Sequence, residues 1–145
     1  MADPSSAAGD FLFDWLALER IPRVGPLTIA RLHSAFGDPR AAMEARAGEI
    51  RRRTGLSEKL AGIIADFNPP EVEIKKDIDL LERLGVRVVT RWAPEYPSRL
   101  KEIHDPPALL FVRGAFSQED DRAVAIVGAR NPTRYGLEMT EIISK

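Results

Sequence analysis

The chain has 145 residues, 44% of them hydrophobic and 30% charged, with 21 basic side chains, 22 acidic ones and no cysteine. This is the balance expected of a soluble globular chain, and it excludes disulfides and thiolate metal sites. Residues 1–68 carry nine basic and nine acidic side chains, and residues 69–145 carry twelve and thirteen. Neither half has the bulk basicity of a strong nucleic-acid binder, so any anion site must be local and built by geometry.

The opening segment, MADPSSAAGD, has no basic start and no continuous apolar core, so it does not read as a signal peptide. No stretch approaches the ~20 apolar residues of a membrane span. A cytoplasmic location and no membrane partner are expected. Residues 1–9 are small and polar and read as a disordered tail.

Asp10 can cap a helix with Phe11, Trp15 and Leu18 on one side and Leu12 and Leu16 beside them. Pro22 ends it. Gly25 and Pro26 form a tight turn into a second helix carrying Ile29, Leu32 and Phe36, which Gly37 closes in a left-handed conformation. Asp38 and Pro39 open a further short helix. A second glycine turn precedes an amphipathic helix with Leu60, Ile63, Ile64 and Phe67, capped by Ser57 and stopped by the NPP run at 68–70. Two such units about 30 residues apart resemble a helix-hairpin-helix pair, which can aim backbone N–H groups at a DNA phosphate. The plainer reading is a set of packed short helices. Arg51, Arg52 and Arg53 suit either a phosphate patch or a solvated face.

From residue 71 the pattern changes. A helix with Ile74, Ile78 and Leu81 ends at Gly85, and VRVVT at 86–90 reads as a strand. A short helix lies within YPSRLKEI, and HDPP breaks it. ALLFVRG is a second strand. After the polar SQEDDR loop, AVAIVG is a third, apolar enough to be covered on both faces. A last helix follows from about Thr133, with Leu137, Ile142 and Ile143 inward. Val124, Ile126 and Leu110 should meet Leu137 in one seam. Helix alternating with apolar strand predicts an α/β layer with mostly parallel pairing. Three strands do not complete a doubly wound domain, so the sequence reads as the N-terminal portion of something longer. The expected division is a tail over 1–9, a helical domain over 10–68, and an incomplete Rossmann-like domain over 71–145.

AIVGARNPTRYG, residues 125–136, carries the chemistry. A glycine straight after a buried strand lets backbone approach a ligand, and the next helix presents free N–H groups to an anion. Gly128 has that place. Arg130 can fork onto a phosphate, Thr133 can cap the helix or donate to a phosphate oxygen, and Tyr135 can stack on a base or fill a seam. The dinucleotide fingerprint fails because Arg130 stands where its second glycine belongs, and no G-K-[ST] follows. The bare motif is equally an anion site or an ordinary strand-to-helix turn. His33 and His104 lie at no ligand or triad spacing, and no catalytic set, cofactor site or metal site is expected. Trp15 reads as core. Trp92 reads as a lid on the sheet edge or as packing between domains.

The order Tyr96-Pro97, Leu100, Ile103, Asp105-Pro106-Pro107, Leu110-Phe111, Gly114, Gly128, Arg130, Thr133, Tyr135-Gly136 resembles the DNA-processing protein A family (DprA, also called Smf). The helical region before it resembles that family's sterile-alpha-motif-like or helix-hairpin-helix domain. The resemblance spans roughly residues 10–145. It implies a non-enzymatic protein with an extended Rossmann-like domain that binds single-stranded DNA, dimerises, and loads the RecA recombinase in natural transformation. The family's Gly-Ser-Arg turn falls on Gly128, Ala129 and Arg130, with Ala129 lacking the commoner serine's hydroxyl. The alternatives are a Rossmann-like phosphoribohydrolase, recognised by base release from a nucleotide, and a pure protein-interaction module, recognised by indifference to oligonucleotide.

Overall fold

The structure, a computed structural model, describes residues 4–144. Its contacts divide into two compact units, Met1–Ala115 and Phe116–Lys145. In the first, α1 (Pro4–Glu19), α2 (Pro26–Phe36), α3 (Pro39–Glu44), α4 (Ala47–Thr54), α5 (Glu58–Ala65) and α6 (Glu71–Arg83) precede β1 (Val86–Thr90), α7 (Ser98–Lys101) and β2 (Leu109–Arg113).

Local chemistry sets most helix ends. Gly37 closes α2 at φ 77° and Gly55 closes α4 at φ 70°, a region that glycine enters without a Cβ clash. Asp38 accepts from the Ala41 amide with Pro39 in the first turn, and Ser57 accepts from the Leu60 amide. Two starts differ from expectation. The first helix begins at Pro4, so Asp10 lies inside it and the chain is helical through residues 4–9; residues 1–3 lie outside the described residues. Proline suits a first helical turn, and Ala7 and Ala8 are strong helix formers. In the turn before α2 the left-handed residue is Arg23, at φ 67°, while Gly25 is extended and precedes Pro26.

Helix α1 packs on α3 and α6, α2 on α3 and α4, α5 on α3 and α4, and α6 on β1. Leu18, Leu32, Ile50, Ile64 and Ile74 are fully buried, and Ala108 and Leu109 belong to the same cluster. Each large side chain so buried contributes roughly 1.5–3 kcal/mol by leaving water. Core residues lie on both sides of residues 68–73, with Ile64 before them and Ile74 after them, and the contacts divide between Ala115 and Phe116.

The two strands pair antiparallel, from Val86 opposite Arg113 to Thr90 opposite Leu109. This corrects the parallel pairing expected from helix–strand alternation. Parallel neighbours need a crossover, usually a full helix, and the segment joining these strands holds only the four-residue α7. It folds back on itself. The Arg91 amide donates to the Ala108 carbonyl at 2.9 Å, and the Tyr96 hydroxyl donates to the Pro107 carbonyl at 2.8 Å. Tyr96 and Pro106 are buried.

The second unit holds a 3-10 turn (Gln118–Arg122) and α8 (Arg134–Ile143). The expected third strand, AVAIVG, pairs with nothing among the described residues, and Val124 is 80% and Val127 90% exposed. Leu137, Ile142 and Ile143 are exposed as well, so within its own unit α8 has no buried inward face among the described residues. A Rossmann-like parallel sheet is therefore not seen among the described residues. Apolar, β-branched sequence qualifies a segment for a strand, but only a neighbour that takes its N–H and C=O groups makes it one.

Candidate nucleic-acid interface

The turn singled out in the sequence lies wholly in the second unit. Ser117 and Asp120 lock its start: the Ser117 amide donates to the Asp120 carboxylate at 2.7 Å, and the Ser117 hydroxyl accepts from the Glu119 amide at 3.2 Å. The chain then runs without regular pairing to a bend at Arg130 and Asn131 and enters α8 through Pro132 and Thr133. The Thr133 hydroxyl accepts from the Gly136 amide at 3.1 Å and the Thr133 carbonyl from the Leu137 amide at 3.1 Å. The first two helical N–H groups, on Arg134 and Tyr135, have no intrahelical acceptor. The first turn of α8 carries no acidic residue that would compete for them.

Gly128, Ala129 and Arg130 are all exposed, and Arg130 has no ion-pair partner among the described residues. Arg134 differs, since its guanidinium meets Glu138 at 3.0 Å. A Cβ added at Gly128 would meet nothing within 4 Å, and its backbone is not left-handed. The fold of this unit therefore does not itself require glycine there. Tyr135 is 70% exposed and fills no seam within its unit. Along the chain, Gly128 and Ala129 precede the bend at Arg130, Thr133 caps α8 and Tyr135 lies in its first turn.

Other features singled out in the sequence are structural. Arg53 pairs with Glu49 at 3.2 Å and lies over the Phe36 ring at 4.4 Å, and Arg51 reaches Glu58 at 3.8 Å. That arginine run behaves largely as a neutralised helix end. The Tyr96 hydroxyl, on the Pro107 carbonyl, ties the middle of the β1–β2 connection to the stretch before β2. Trp92 stacks on His33 at 3.9 Å and on Trp15 at 5.1 Å, pinning the loop after β1 to α1 and α2. Sequence reasoning missed Asp14, which is nearly buried and accepts from Arg40 at 3.0 Å. Burial pushes its carboxyl above the usual range, against the pull of Arg40. Its place one residue before Trp15 on the buried side of α1 was the available signal. Among the described residues no group of three or more His, Asp or Glu side chains is placed to hold a metal, and no helix is long and apolar enough to cross a membrane.

Comparison with known proteins gives two family matches on separate stretches. Residues 10–61 match the family described as DprA-like N-terminal HHH domain, and residues 87–145 match DNA recombination-mediator protein A. The DNA processing protein DprA of Bacillus subtilis is 39% identical over 62 residues, covering 42% of this chain and 21% of that protein. Protein Smf of Synechocystis sp. is 29% identical over 139 residues, covering 90% of this chain and 34% of that protein. The chain thus spans between a fifth and about a third of these relatives' lengths.

Proposed function

The chain belongs to the DprA/Smf family of DNA-processing proteins, and on that premise we propose that it binds single-stranded DNA and delivers it to the RecA recombinase in natural transformation. The reading includes a homodimer of the intact protein and no catalytic step. Its support is chemical. Arg130 is an exposed cation at a bend, with no acidic partner among the described residues, immediately before a capped helix. Its fork takes two phosphate oxygens, and the free N–H groups and dipole of α8 add partial positive charge at the helix start that follows. The Thr133 oxygen accepts from Gly136, which leaves its hydroxyl hydrogen for a phosphate. Tyr135 offers an exposed ring to a base. Gly128 and Ala129 keep the backbone approach free of long side chains.

The observation that carries the reading is Arg130, exposed and without an ion-pair partner among the described residues. The test is binding of labelled oligo-dT and of a mixed-sequence single strand to the intact gene product. Arg130→Ala should weaken both equally, because a phosphate contact holds no base information. Arg130→Lys should recover part of the loss, keeping charge without the two-pronged geometry. Parent-like affinity in Arg130→Ala, with folding intact by circular dichroism, would reject the assignment.

A further inference from the structure

The first unit carries a cleft of about 300 Å³ that the proposed DNA function does not use, lined by Phe11, Trp15, His33, Asp38, Thr90 and Trp92 among others. Its walls are aromatic. Trp92 lies nearly parallel to His33, with centroids 3.9 Å apart and 23° between planes, and nearly parallel to Trp15, at 5.1 Å and 25°. Phe11 meets Trp15 edge-on at 6.1 Å and 71°. Trp15 is buried, but Phe11 and Trp92 are exposed at the cleft, at 55% and 37%.

The charge of the cleft has one sign. Among the residues lining it, Asp38 carries the only formal charge. One Asp38 oxygen accepts from the Ala41 amide at 3.3 Å, leaving the other for a ligand. Burial holds His33 below the usual histidine range, against the opposing pull of Asp38, so a neutral imidazole faces the cleft at neutral pH. Aromatic faces carry negative potential and attract cations, tryptophan most strongly. A phosphate would meet Asp38 with no lining cation to offset it, which disfavours a nucleic-acid strand.

We propose that this cleft binds an organic cation, the guanidinium of an arginine presented by a partner polypeptide. The planar group stacks against the Trp92 and Phe11 rings and donates to Asp38, a geometry an ammonium reproduces less well because it is compact and strongly hydrated. The site is independent of the turn at Arg130.

Both tryptophans of the chain line this cleft, so selectively excited tryptophan fluorescence reports on it. The experiment titrates the protein with N-acetyl-arginine amide, its lysine and leucine counterparts, and oligo-dT, with N-acetyl-tryptophan amide as the control for simple quenching. Saturable binding of the arginine compound, weaker binding of the lysine one and none of the leucine one are expected. Asp38→Ser keeps a residue that caps α3, so the fold persists while affinity falls roughly tenfold through loss of the charge. Trp92→Phe keeps a ring in place and should retain part of the affinity, and Arg130→Ala should leave it unchanged. Equal binding of the leucine compound, no saturable binding, Asp38→Ser binding as the parent does, or oligo-dT occupying the cleft in place of arginine would each overturn the proposal.

Discussion

The first unit buries a connected apolar core, and the second leaves most of its large apolar residues exposed. In Met1–Ala115, Ile50, Ile64 and Ile74 from three different helices are fully buried in one cluster. In Phe116–Lys145, Val124, Val127 and Ile142 are 80%, 90% and 67% exposed, although AVAIVG is as apolar as any stretch of the first unit. The difference lies in neighbours rather than composition. Helices satisfy their own backbone hydrogen bonds and need only bury a stripe. An extended segment needs a ladder partner for its backbone before its side chains gain from burial.

The sharpest way to break this comparison is to truncate one side chain in each unit. Leu18→Ala removes a fully buried side chain and should cost about 2–5 kcal/mol in urea unfolding of this 145-residue chain. Ile126→Ala, at a residue 44% exposed, should cost less than about 1 kcal/mol. Comparable losses at both positions would show that the second unit has a core of its own.

Within the first unit, Tyr96→Phe deletes the hydroxyl that donates to the Pro107 carbonyl. The loss should be about 1 kcal/mol, read as a lower Tm. No loss would mean that the connection between β1 and β2 is held without this clasp.

A smaller effect concerns pH. Burial lowers the folded-state pKa of His33 below 6.5, so the unfolded chain binds the proton more readily. Stability should fall as pH drops through the unfolded value near 6.5 and on through the lower folded one. Asp14 and Glu19 are raised by burial and act with the opposite sign at more acid pH, where protonation favours the fold. His33→Phe keeps a ring against Trp15 and Trp92, and should flatten the stability profile between about pH 5 and 7. A variant with the parent's slope would remove His33 from the account.

Smallest of all, Gly128→Ala should change stability by under about 0.5 kcal/mol, since its Cβ meets nothing and its φ is not left-handed. A large loss would make this glycine a structural requirement.

The pattern of success in reading the sequence follows the same contrast. Caps at Asp38 and Ser57, the left-handed Gly37, the strand at 86–90 and the helix after Thr133 were legible because neighbouring residues decide them. The antiparallel register was not, because it rests on backbone pairing between residues far apart in the chain, from Val86 opposite Arg113 to Thr90 opposite Leu109. Helix alternating with strand carries no trace of that fold-back. The same holds for Trp92, whose stacking partners sit on α1 and α2. At the candidate site, the capped helix start and the exposed Arg130 were legible from Gly128 to Gly136. The exposure of the apolar segment before them was not, since apolar sequence cannot name its own neighbour.

The most direct test of the central claim is the salt dependence of single-stranded DNA binding by the intact gene product, parent against Arg130→Ala. Each phosphate neutralised on a single strand contributes about 0.7 to the slope of log affinity against log salt. The account predicts a slope shallower by about that amount in Arg130→Ala, at unchanged thermal stability. An identical slope and affinity would leave the Gly128–Arg130 segment as a connection into α8 with no part in holding DNA.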